Sequence, residues 1–267
     1  MPSSPQQARI AVTRSVSPAM ACCELTHLPR TQIDISLARE QHAAYERALG
    51  SLGCHLERLP EAPALADSVF VEDTAIVLDE LAVVTRPGAP SRRAETDSVA
   101  RLLGSYRQIA QIAAPATLDG GDVLRVDRTL YVGRSGRSNR DGIEQLAQRV
   151  APFGYRVEAI PVHGCLHLKS AVTLVAPETV LVNPEYIAPE SFHRFERIEV
   201  DPAEPLGANA LLLGGEVMYP ASKPRTAERL RRRGVQVRVV DVSELEKAEG
   251  AVTCCSLIFT GDGGREF

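Results

Sequence analysis

Two neighbouring cysteines near the end of the chain, Cys254 and Cys255, are candidates for a catalytic nucleophile. A cysteine with a histidine elsewhere in the sequence can attack an electrophilic carbon, whereas a buried cysteine more often serves as a small hydrophobic residue. Sequence alone does not separate the two sulfurs. His167 is the preferred acid–base partner, because an imidazole titrates near neutral pH.

A short acidic segment, residues 67–73 (DSVFVED), could bind a cation. In an extended conformation Asp67 and Asp73 would lie on one face, and Phe70 and Glu72 on the other. A bulge or turn is therefore needed before the three carboxylates converge. The alternative is a set of solvated turn residues, which we favour when the segment is considered by itself.

The stretch 118–123 (LDGGDV) places Asp119 and Asp122 on either side of two glycines. Glycines allow the backbone to turn sharply, so the carboxylates could be brought to a site. The alternative is a plain turn between two strands. A phosphate-binding loop is excluded, because neither glycine-rich phosphate motif occurs in the chain.

A third group, His163, Cys165 and His167, would share one face of a strand, which is a spacing that suits a metal ion. No fourth ligand can be named from the nearby sequence. A structural or catalytic metal is therefore the less favoured interpretation, and an acid–base role for His167 is preferred.

Composition sets limits on the class of protein. The chain has 267 residues, a net charge of −4, 44% hydrophobic residues and 24% charged residues, which is typical of a soluble globular protein. This charge gives no argument for nucleic-acid binding, and no apolar run approaches the roughly 20 residues of a membrane span. A polar N-terminus without an apolar signal core predicts a cytoplasmic protein with reduced cysteines.

The elements that must position these side chains repeat along the chain. Strand–turn–strand patterns occupy residues 73–86, 122–134, 169–183 and 209–220, and each opens one unit. Helices are predicted over about 91–103, 139–150 and 222–233. The ends supply a split fifth unit with strands at 9–14, 54–59 and 256–260 and a helix over about 34–52.

A period of roughly 40–50 residues with shared ends favours a closed ring of five α/β units. An open doubly wound sheet is the alternative, but two strands per helix is the wrong rhythm for it. No linker divides the chain, so we predict a single domain, residues 1–267, with a core of about 9–260 and flexible ends.

Five segments together resemble the dimethylarginine dimethylaminohydrolase family of the guanidino-group-modifying (pentein) superfamily. They are residues 67–75 (DSVFVEDTA), 85–93 (TRPGAPSRR), 118–124 (LDGGDVL), 166–170 (LHLKS) and 253–256 (TCCS). The likeness runs in order from about Arg9 to Phe259. It implies a five-unit, pseudo-symmetric α/β propeller in which the N- and C-terminal strands share a unit.

The resemblance also implies roles for individual residues. Cys254 matches the nucleophile, His167 the general acid–base and Asp119 the acid that orients the histidine. The substrate-binding positions are those for the guanidinium (Asp67, Glu72 and Asp73), for the α-carboxylate (Arg86 and Arg137), for the apolar lining (Leu25 and Phe70) and, where a relative has Asp, beside the α-amino group (Glu249).

By the same resemblance, the chain is expected to hydrolyse N-omega-methylated arginines to citrulline and dimethylamine or methylamine through a covalent thiouronium on cysteine. No cofactor is expected, and the only partner is a small-molecule substrate, with no nucleic acid or membrane and with a homodimer left open. Two alternatives remain: an arginine deiminase-type hydrolase, and an inactive or metal-bound guanidino-binding relative. Zinc on Cys254 and His167 would be inhibitory, because it would occupy the nucleophile.

Overall fold

The structure is a computed structural model that describes residues 8–261. Residues 1–7 and 262–267, and with them the prediction that the ends are flexible, lie outside the described residues. Within residues 8–261, none of the helices has the length and apolar character that crossing a membrane requires.

Strands in the described range form five three-stranded sheets. In chain order they are β1 (Ala8–Thr13), β2 (Cys54–Arg58), β3 (Ala75–Val77), β4 (Leu81–Val84), β5 (Gln108–Gln111), β6 (Val123–Val126), β7 (Thr129–Arg134), β8 (Arg156–Pro161), β9 (Val172–Ala176), β10 (Thr179–Val182), β11 (Glu196–Glu199), β12 (Leu211–Leu213), β13 (Glu216–Pro220), β14 (Gln236–Val240) and β15 (Leu257–Gly261).

Helices connect these strands or lead into them. The α-helices are α1 (Ile35–Ser51), α2 (Thr96–Leu103), α3 (Arg140–Val150), α4 (Leu168–Ala171), α5 (Pro224–Arg232) and α6 (Ser243–Glu246). Short 3-10 helices occupy Met20–Cys22, Val71–Thr74, Pro90–Glu95, Gly120–Asp122, Ala151–Phe153 and Pro189–Phe192.

All five sheets share one design: the central strand pairs antiparallel with one neighbour and parallel with the other. In four of the sheets a hairpin makes the antiparallel pair, and in all five a crossover that contains an α-helix or a 3-10 helix reaches the parallel strand. The first sheet is assembled from both ends of the chain, because β1 pairs antiparallel with β15, with Ile10 opposite Phe259. The prediction that the terminal strands share a unit is confirmed.

Side-chain caps and apolar spacing explain where the longer helices begin and which face they bury. The carboxylate of Asp34 accepts a hydrogen bond from the backbone N–H of Leu37 at the start of α1, and Asn139 caps α3 in the same way. On α3 the buried side chains Ile143, Leu146 and Val150 recur at helical spacing, so one face of the helix packs against the sheets.

The hydrophobic core consists of five clusters, each of which draws on two sheets. Representative members are Val12 and Ala82 (first and second sheets), Leu81 and Leu130 (second and third), Tyr131 and Val180 (third and fourth), Leu181 and Val217 (fourth and fifth) and Met218 and Ala11 (fifth and first). Each sheet therefore packs against the next, and the last packs against the first.

A cavity of about 350 Å³ is lined by one strand from every sheet, namely β3, β6, β9, β12 and β15. We call it the five-strand cavity. These are the strands that pair antiparallel with the central strands. Glu72, Lys169 and Thr253 form a polar part of its wall.

Two predicted elements differ from the structure. The helix predicted over 91–103 is a 3-10 helix at Pro90–Glu95 followed by α2. The strand predicted to begin at Lys169 begins at Val172, since residues 168–171 form α4, whose first N–H is held by the carboxylate of Asp122. A single capped turn of this kind carries no periodic signal in the sequence.

Candidate active site

A small cavity of about 20 Å³, which we call the catalytic cavity, gathers most of the predicted site residues. Its wall contains seven of them, Asp67, Phe70, Asp73, Arg137, His167, Glu249 and Cys254, together with Glu24, Arg92, Leu166, Ala248 and Gly250. They lie on the segments that follow β1 and β7 and on those that precede β3, α2, α4 and β15. Residues far apart in the sequence therefore meet at one place.

The structure separates the two adjacent cysteines. Cys254 lies in the wall of the catalytic cavity. Cys255 is fully buried in a hydrophobic cluster, with its Sγ 3.6 Å from the carbonyl oxygen of Ala251. Burial, and then the negative charges of Glu72 and Asp73, raise the pKa of the Cys254 thiol, so these surroundings favour the protonated sulfur.

His167 and Asp119 form a buried pair. Nε2 of His167 lies 3.1 Å from Oδ2 of Asp119, and Nδ1 lies 3.8 Å from Oδ1 of Asp73. Burial by itself would lower the pKa of His167, but the nearby charge of Asp73 and the hydrogen bond to Asp119 raise it to about 9. The imidazole is therefore held in its protonated form at neutral pH, ready to donate a proton.

Asp119 is itself held in place. Its Oδ1 accepts a hydrogen bond of 2.8 Å from the backbone N–H of Gly88, and its own N–H donates to Oγ of Ser138 at 3.0 Å. The carboxylate is fully buried. These contacts leave Oδ2 to orient the imidazole of His167.

The turn at residues 118–123 packs directly against the histidine. The backbone N–H of Gly121 donates to Oδ1 of Asp73 at 2.9 Å. A Cβ atom at Gly121 would lie 2.5 Å from Nδ1 of His167 and 2.8 Å from Oδ1 of Asp73. Glycine is required here because any side chain would displace the imidazole or the carboxylate.

An ion-pair network that the sequence analysis missed fixes Asp73. Nη1 of Arg92 lies 2.6 Å from Oδ2 of Asp73, and Nη2 lies 2.9 Å from Oε2 of Glu95. All three side chains are buried. Burial would raise the pKa of Asp73, but the positive charges of His167 and Arg92 lower it to about 2. Asp73 is therefore a carboxylate at any ordinary pH.

The other two predicted acids face different surroundings. Asp67 lies in the wall of the catalytic cavity, and its carboxylate accepts from the backbone N–H of Glu24. Burial raises its pKa. Glu72 lines the five-strand cavity, where Oε1 lies 2.5 Å from Nζ of Lys169 and Oε2 accepts from Oγ1 of Thr253 at 2.7 Å.

The extended conformation considered for residues 67–73 is wrong, because Val71–Thr74 forms a 3-10 helix. The turn that the sequence required is therefore present. It directs Asp73 to the catalytic cavity and Glu72 to the five-strand cavity, so only two of the three carboxylates lie in the catalytic wall.

The structure does not bring Arg86 or Leu25 into the wall of the catalytic cavity. Nη1 of Arg86 donates to the carbonyl oxygen of Ala116, 3.0 Å away, and the side chain of Leu25 packs against the hydrophobic cluster shared by the first and fifth sheets. Arg92, six residues after Arg86 in the same motif, lies in the wall of the catalytic cavity instead of Arg86. Glu24, the neighbour of Leu25, lies there instead of Leu25.

Glu249 and Arg137 hold the segment formed by residues 24–28. The carboxylate of Glu249 accepts hydrogen bonds from the backbone N–H groups of Thr26, His27 and Leu28. Nη2 of Arg137 donates to Oγ1 of Thr26 at 3.1 Å. Both side chains also lie in the wall of the catalytic cavity, so the segment adjoins the site.

The less favoured metal site at residues 163–167 required a strand there, and these residues do not form one. β8 ends at Pro161, and Cys165 is buried with its Sγ 3.4 Å from the carbonyl oxygen of His167. Among residues 8–261, the only acidic, histidine or cysteine cluster with ligand atoms close enough for a metal is Asp73, Asp119 and His167, whose atoms lie within 4.8 Å of one another. Cys254 is not a member, and inhibitory zinc on Cys254 and His167 stays a prediction.

The arrangement combines three chemical capabilities. A cysteine thiol supplies a nucleophile, a protonated histidine supplies a proton, and fixed carboxylates can hold a planar cation by charge-assisted hydrogen bonds. Arg137 and Glu249 add one positive and one negative group on the same wall, which suits the two charges of an amino acid.

Comparison with known proteins identifies relatives of the chain. Residues 26–200 match the family described as N,N dimethylarginine dimethylhydrolase, eukaryotic. The N(G),N(G)-dimethylarginine dimethylaminohydrolase of Streptomyces coelicolor is 45% identical over 253 residues, which cover 92% of this chain and 95% of that protein.

Two solved structures resemble the chain over most of its length. One is a Cys-to-Ser mutant of the Pseudomonas aeruginosa enzyme complexed with citrulline, with a TM-score of 0.90, 32% identity and coverage of 95% of this chain and 100% of that one. The other is a His-to-Gly variant of a dimethylarginine dimethylaminohydrolase as an adduct with S-methyl-L-thiocitrulline, with a TM-score of 0.89 and the same identity and coverage. The fold is therefore a pentein-type α/β fold.

Proposed function

The chain belongs to the dimethylarginine dimethylaminohydrolase family of hydrolases, and we propose from this that it converts asymmetric dimethylarginine and monomethylarginine to citrulline and the corresponding amine. The observation that carries the proposal is the meeting of Cys254, His167 and Asp73 in the wall of one small cavity.

Substrate binding prepares the nucleophile. Burial and the charges of Glu72 and Asp73 raise the pKa of Cys254 in the structure. A guanidinium cation placed between the carboxylates and the sulfur opposes those charges and favours the thiolate, whose proton leaves to solvent. The reactive sulfur therefore forms chiefly when its target is already bound.

Two half-reactions follow. The Cys254 thiolate adds to the guanidino carbon, and the bond from that carbon to the methylated nitrogen breaks as the imidazolium of His167 gives that nitrogen a proton. Dimethylamine or methylamine leaves, and an S-alkylthiouronium remains on Cys254. Neutral His167 then takes a proton from water, and the hydroxide adds to the same carbon. The carbon–sulfur bond breaks as the hydroxyl proton passes to solvent, which gives citrulline and the thiolate.

The carboxylates have separate tasks in this scheme. Asp73, kept ionised by Arg92, holds the guanidinium N–H groups while charge shifts in the tetrahedral intermediate, and Asp67 supplies a second acceptor. Asp119 orients the imidazole throughout. Glu72 lies outside the catalytic cavity, in the wall of the five-strand cavity, where its carboxylate contacts Lys169 and Thr253.

At the amino-acid end, Arg137 is the proposed partner of the α-carboxylate and Glu249 that of the α-ammonium group. Both lie in the wall of the catalytic cavity, and both form hydrogen bonds with residues 24–28. Phe70 supplies apolar contact for the substrate's methylene chain. Arg86 lies outside this wall, which favours Arg137 over Arg86 as the carboxylate anchor.

Several broader features belong to the same proposal. The described sheets form a closed ring within a single catalytic domain, which is supported by the cyclic order of the core clusters and by the five-strand cavity with one strand from each sheet. The cycle needs no cofactor, because cysteine, histidine and water complete it. Location in the cytoplasm stays a prediction.

The test is citrulline release from asymmetric dimethylarginine, monomethylarginine and arginine, each with and without a chelator. We expect turnover of the methylated substrates and little from arginine. Preference for arginine would instead identify a deiminase, and no citrulline from any substrate, chelator included, would reject the hydrolase.

The nucleophile is tested with a matched pair of variants. Cys254→Ser should abolish nearly all turnover, whereas Cys255→Ser, which changes a buried sulfur outside the wall, should retain most of it. The opposite ranking would reject the assignment of Cys254.

A further inference from the structure

Asp122 is a buried carboxylate that the proposed reaction does not use. Its side chain is fully buried and lies outside the wall of the catalytic cavity. Its two oxygens accept three hydrogen bonds, from Oγ of Ser135 and Oγ of Ser138, both at 2.6 Å, and from the backbone N–H of Leu168 at 2.9 Å. Burial raises its pKa to about 6, which still leaves it mainly ionised at neutral pH.

One of these bonds reaches the histidine. Leu168 is the first residue of α4 and directly follows His167, which occupies the N-cap position without making a side-chain cap. Asp122 supplies the missing cap by accepting the N–H of Leu168. The backbone that carries the imidazole is therefore tied to the start of β6.

A second bond reaches the aspartate of the catalytic pair. Oγ of Ser138 donates to Asp122 and accepts the backbone N–H of Asp119 at 3.0 Å. The backbone N–H of Asp122 also donates to the carbonyl oxygen of Asp119 at 3.1 Å. Asp122 is therefore linked to Asp119 and, through Leu168, to His167.

Gly133 on β7 leaves the space that this arrangement needs. A Cβ atom there would lie 2.5 Å from Oδ1 of Asp122 and 2.9 Å from Cβ of Leu168. The oxygen concerned is the one that caps α4. The fold therefore brings a strand backbone against this carboxylate with no room for a side chain.

We propose that Asp122 is the positioning residue of the His167–Asp119 pair: one buried carboxylate fixes the distance and angle between the imidazole and its orienting acid. The proposal rests on the proposed function, since the pair matters only if it moves protons. A carboxylate suits the task because all three neighbouring groups donate to it. An amide in its place would direct its NH2 group at one or both serine hydroxyls.

The test compares Asp122→Asn and Asp122→Ala with Glu204→Gln. Glu204 is the matched control, a buried acid remote from the site that accepts the N–H groups of Arg225 and Thr226 at the start of α5. Because a misplacement of about 1 Å can cost about 10²-fold in rate, we expect kcat to fall about 10-fold in Asp122→Asn and about 10²-fold in Asp122→Ala. KM should stay within about 2-fold, and Glu204→Gln should keep the wild-type kcat.

Amide hydrogen exchange, followed by NMR, supplies a readout that does not depend on turnover. The Leu168 N–H should exchange at least about 10-fold faster in Asp122→Ala and stay protected in Glu204→Gln. A wild-type protein that releases no citrulline would reject the proposed function, while the exchange data would still decide whether Asp122 holds α4.

Wild-type kcat in Asp122→Asn, or an unchanged Leu168 exchange rate in Asp122→Ala, would overturn the proposal. If the Asp122 variants lack the wild-type circular dichroism spectrum, Ser138→Ala decides the question, because it removes only the hydroxyl that links Asp122 to Asp119. It should lower kcat about 10-fold with KM unchanged. Wild-type kcat there would also overturn the proposal.

Discussion

Replacement of the buried cation Arg92 should lower the free energy of unfolding substantially and should inactivate the site. Arg92→Met keeps a side chain of similar length but leaves Asp73 and Glu95 buried without their partner. Breaking a buried ion pair by removing one member typically costs about 3–5 kcal/mol of unfolding free energy. The electrostatics of the site agree in sign: burial by itself would raise the pKa of Asp73, and the positive charges of His167 and Arg92 lower it.

The pH dependence has a defined sign. In the wild type the folded pKa of Asp73 lies below its unfolded value, so its contribution to stability is complete above about pH 5 and is lost as the pH falls toward 2. In Arg92→Met the buried carboxylates lose their counter-charge, which raises their folded pKa values. The deficit relative to wild type should therefore be greatest at pH 7 and should narrow as the pH falls to 5.

Urea unfolding followed by circular dichroism at pH 7 and pH 5 measures both effects. Arg93→Met is the matched control, because Arg93 is half-buried and its Nε donates to the carbonyl oxygen of Pro87. We expect a loss of about 3 kcal/mol or more for Arg92→Met and less than about 1 kcal/mol for Arg93→Met. Equal losses in the two variants, or a deficit that grows on acidification, would refute the reasoning.

Three further predictions concern the site. His167→Ala should lower kcat about 10²–10⁴-fold, as for the loss of a general acid–base, and near wild-type turnover would remove His167 from the mechanism. Asp119→Asn weakens a hydrogen bond that raises the pKa of His167, so in a pH–rate profile the alkaline limb should move to lower pH; an unmoved limb would contradict this. Arg137→Ala should raise KM for dimethylarginine more than Arg86→Ala does, and steady-state kinetics with the reverse order would restore Arg86 as the anchor.

Repeated local patterns made the fold predictable. Four units present a hairpin, four of the five carry an α-helix in the crossover, and the predicted strands at 9–14 and 256–260 do pair in one sheet, with Ile10 opposite Phe259. Local conformations with one turn or less were not predictable. The 3-10 helix at Val71–Thr74 and the four-residue helix α4 depend on partners distant in the sequence, among them Asp122 and Cys254.

The identity of the arginines in the site was the main gap. Lysine occurs at three positions in the chain, so almost every basic residue is arginine and the residue type carries no information about a site. Arg92 differs from Arg86 in its buried partners Asp73 and Glu95, and the sequence does not display these contacts. The sequence feature that could have indicated Arg92 is Glu95, which lies three residues later and is therefore an i, i+3 partner within one helical turn.

Glu249 and Arg137 form hydrogen bonds with residues 24–28. Under the proposed function, the substrate therefore replaces these contacts when it binds. A cavity of about 20 Å³ has room for about one water molecule and none for an arginine derivative. The proposed substrate therefore needs a conformer with a larger cavity, and the measured affinity would be the intrinsic affinity reduced by the population of that conformer. Under the proposed roles, each charge of the incoming amino acid would replace an internal contact of Glu249 or Arg137.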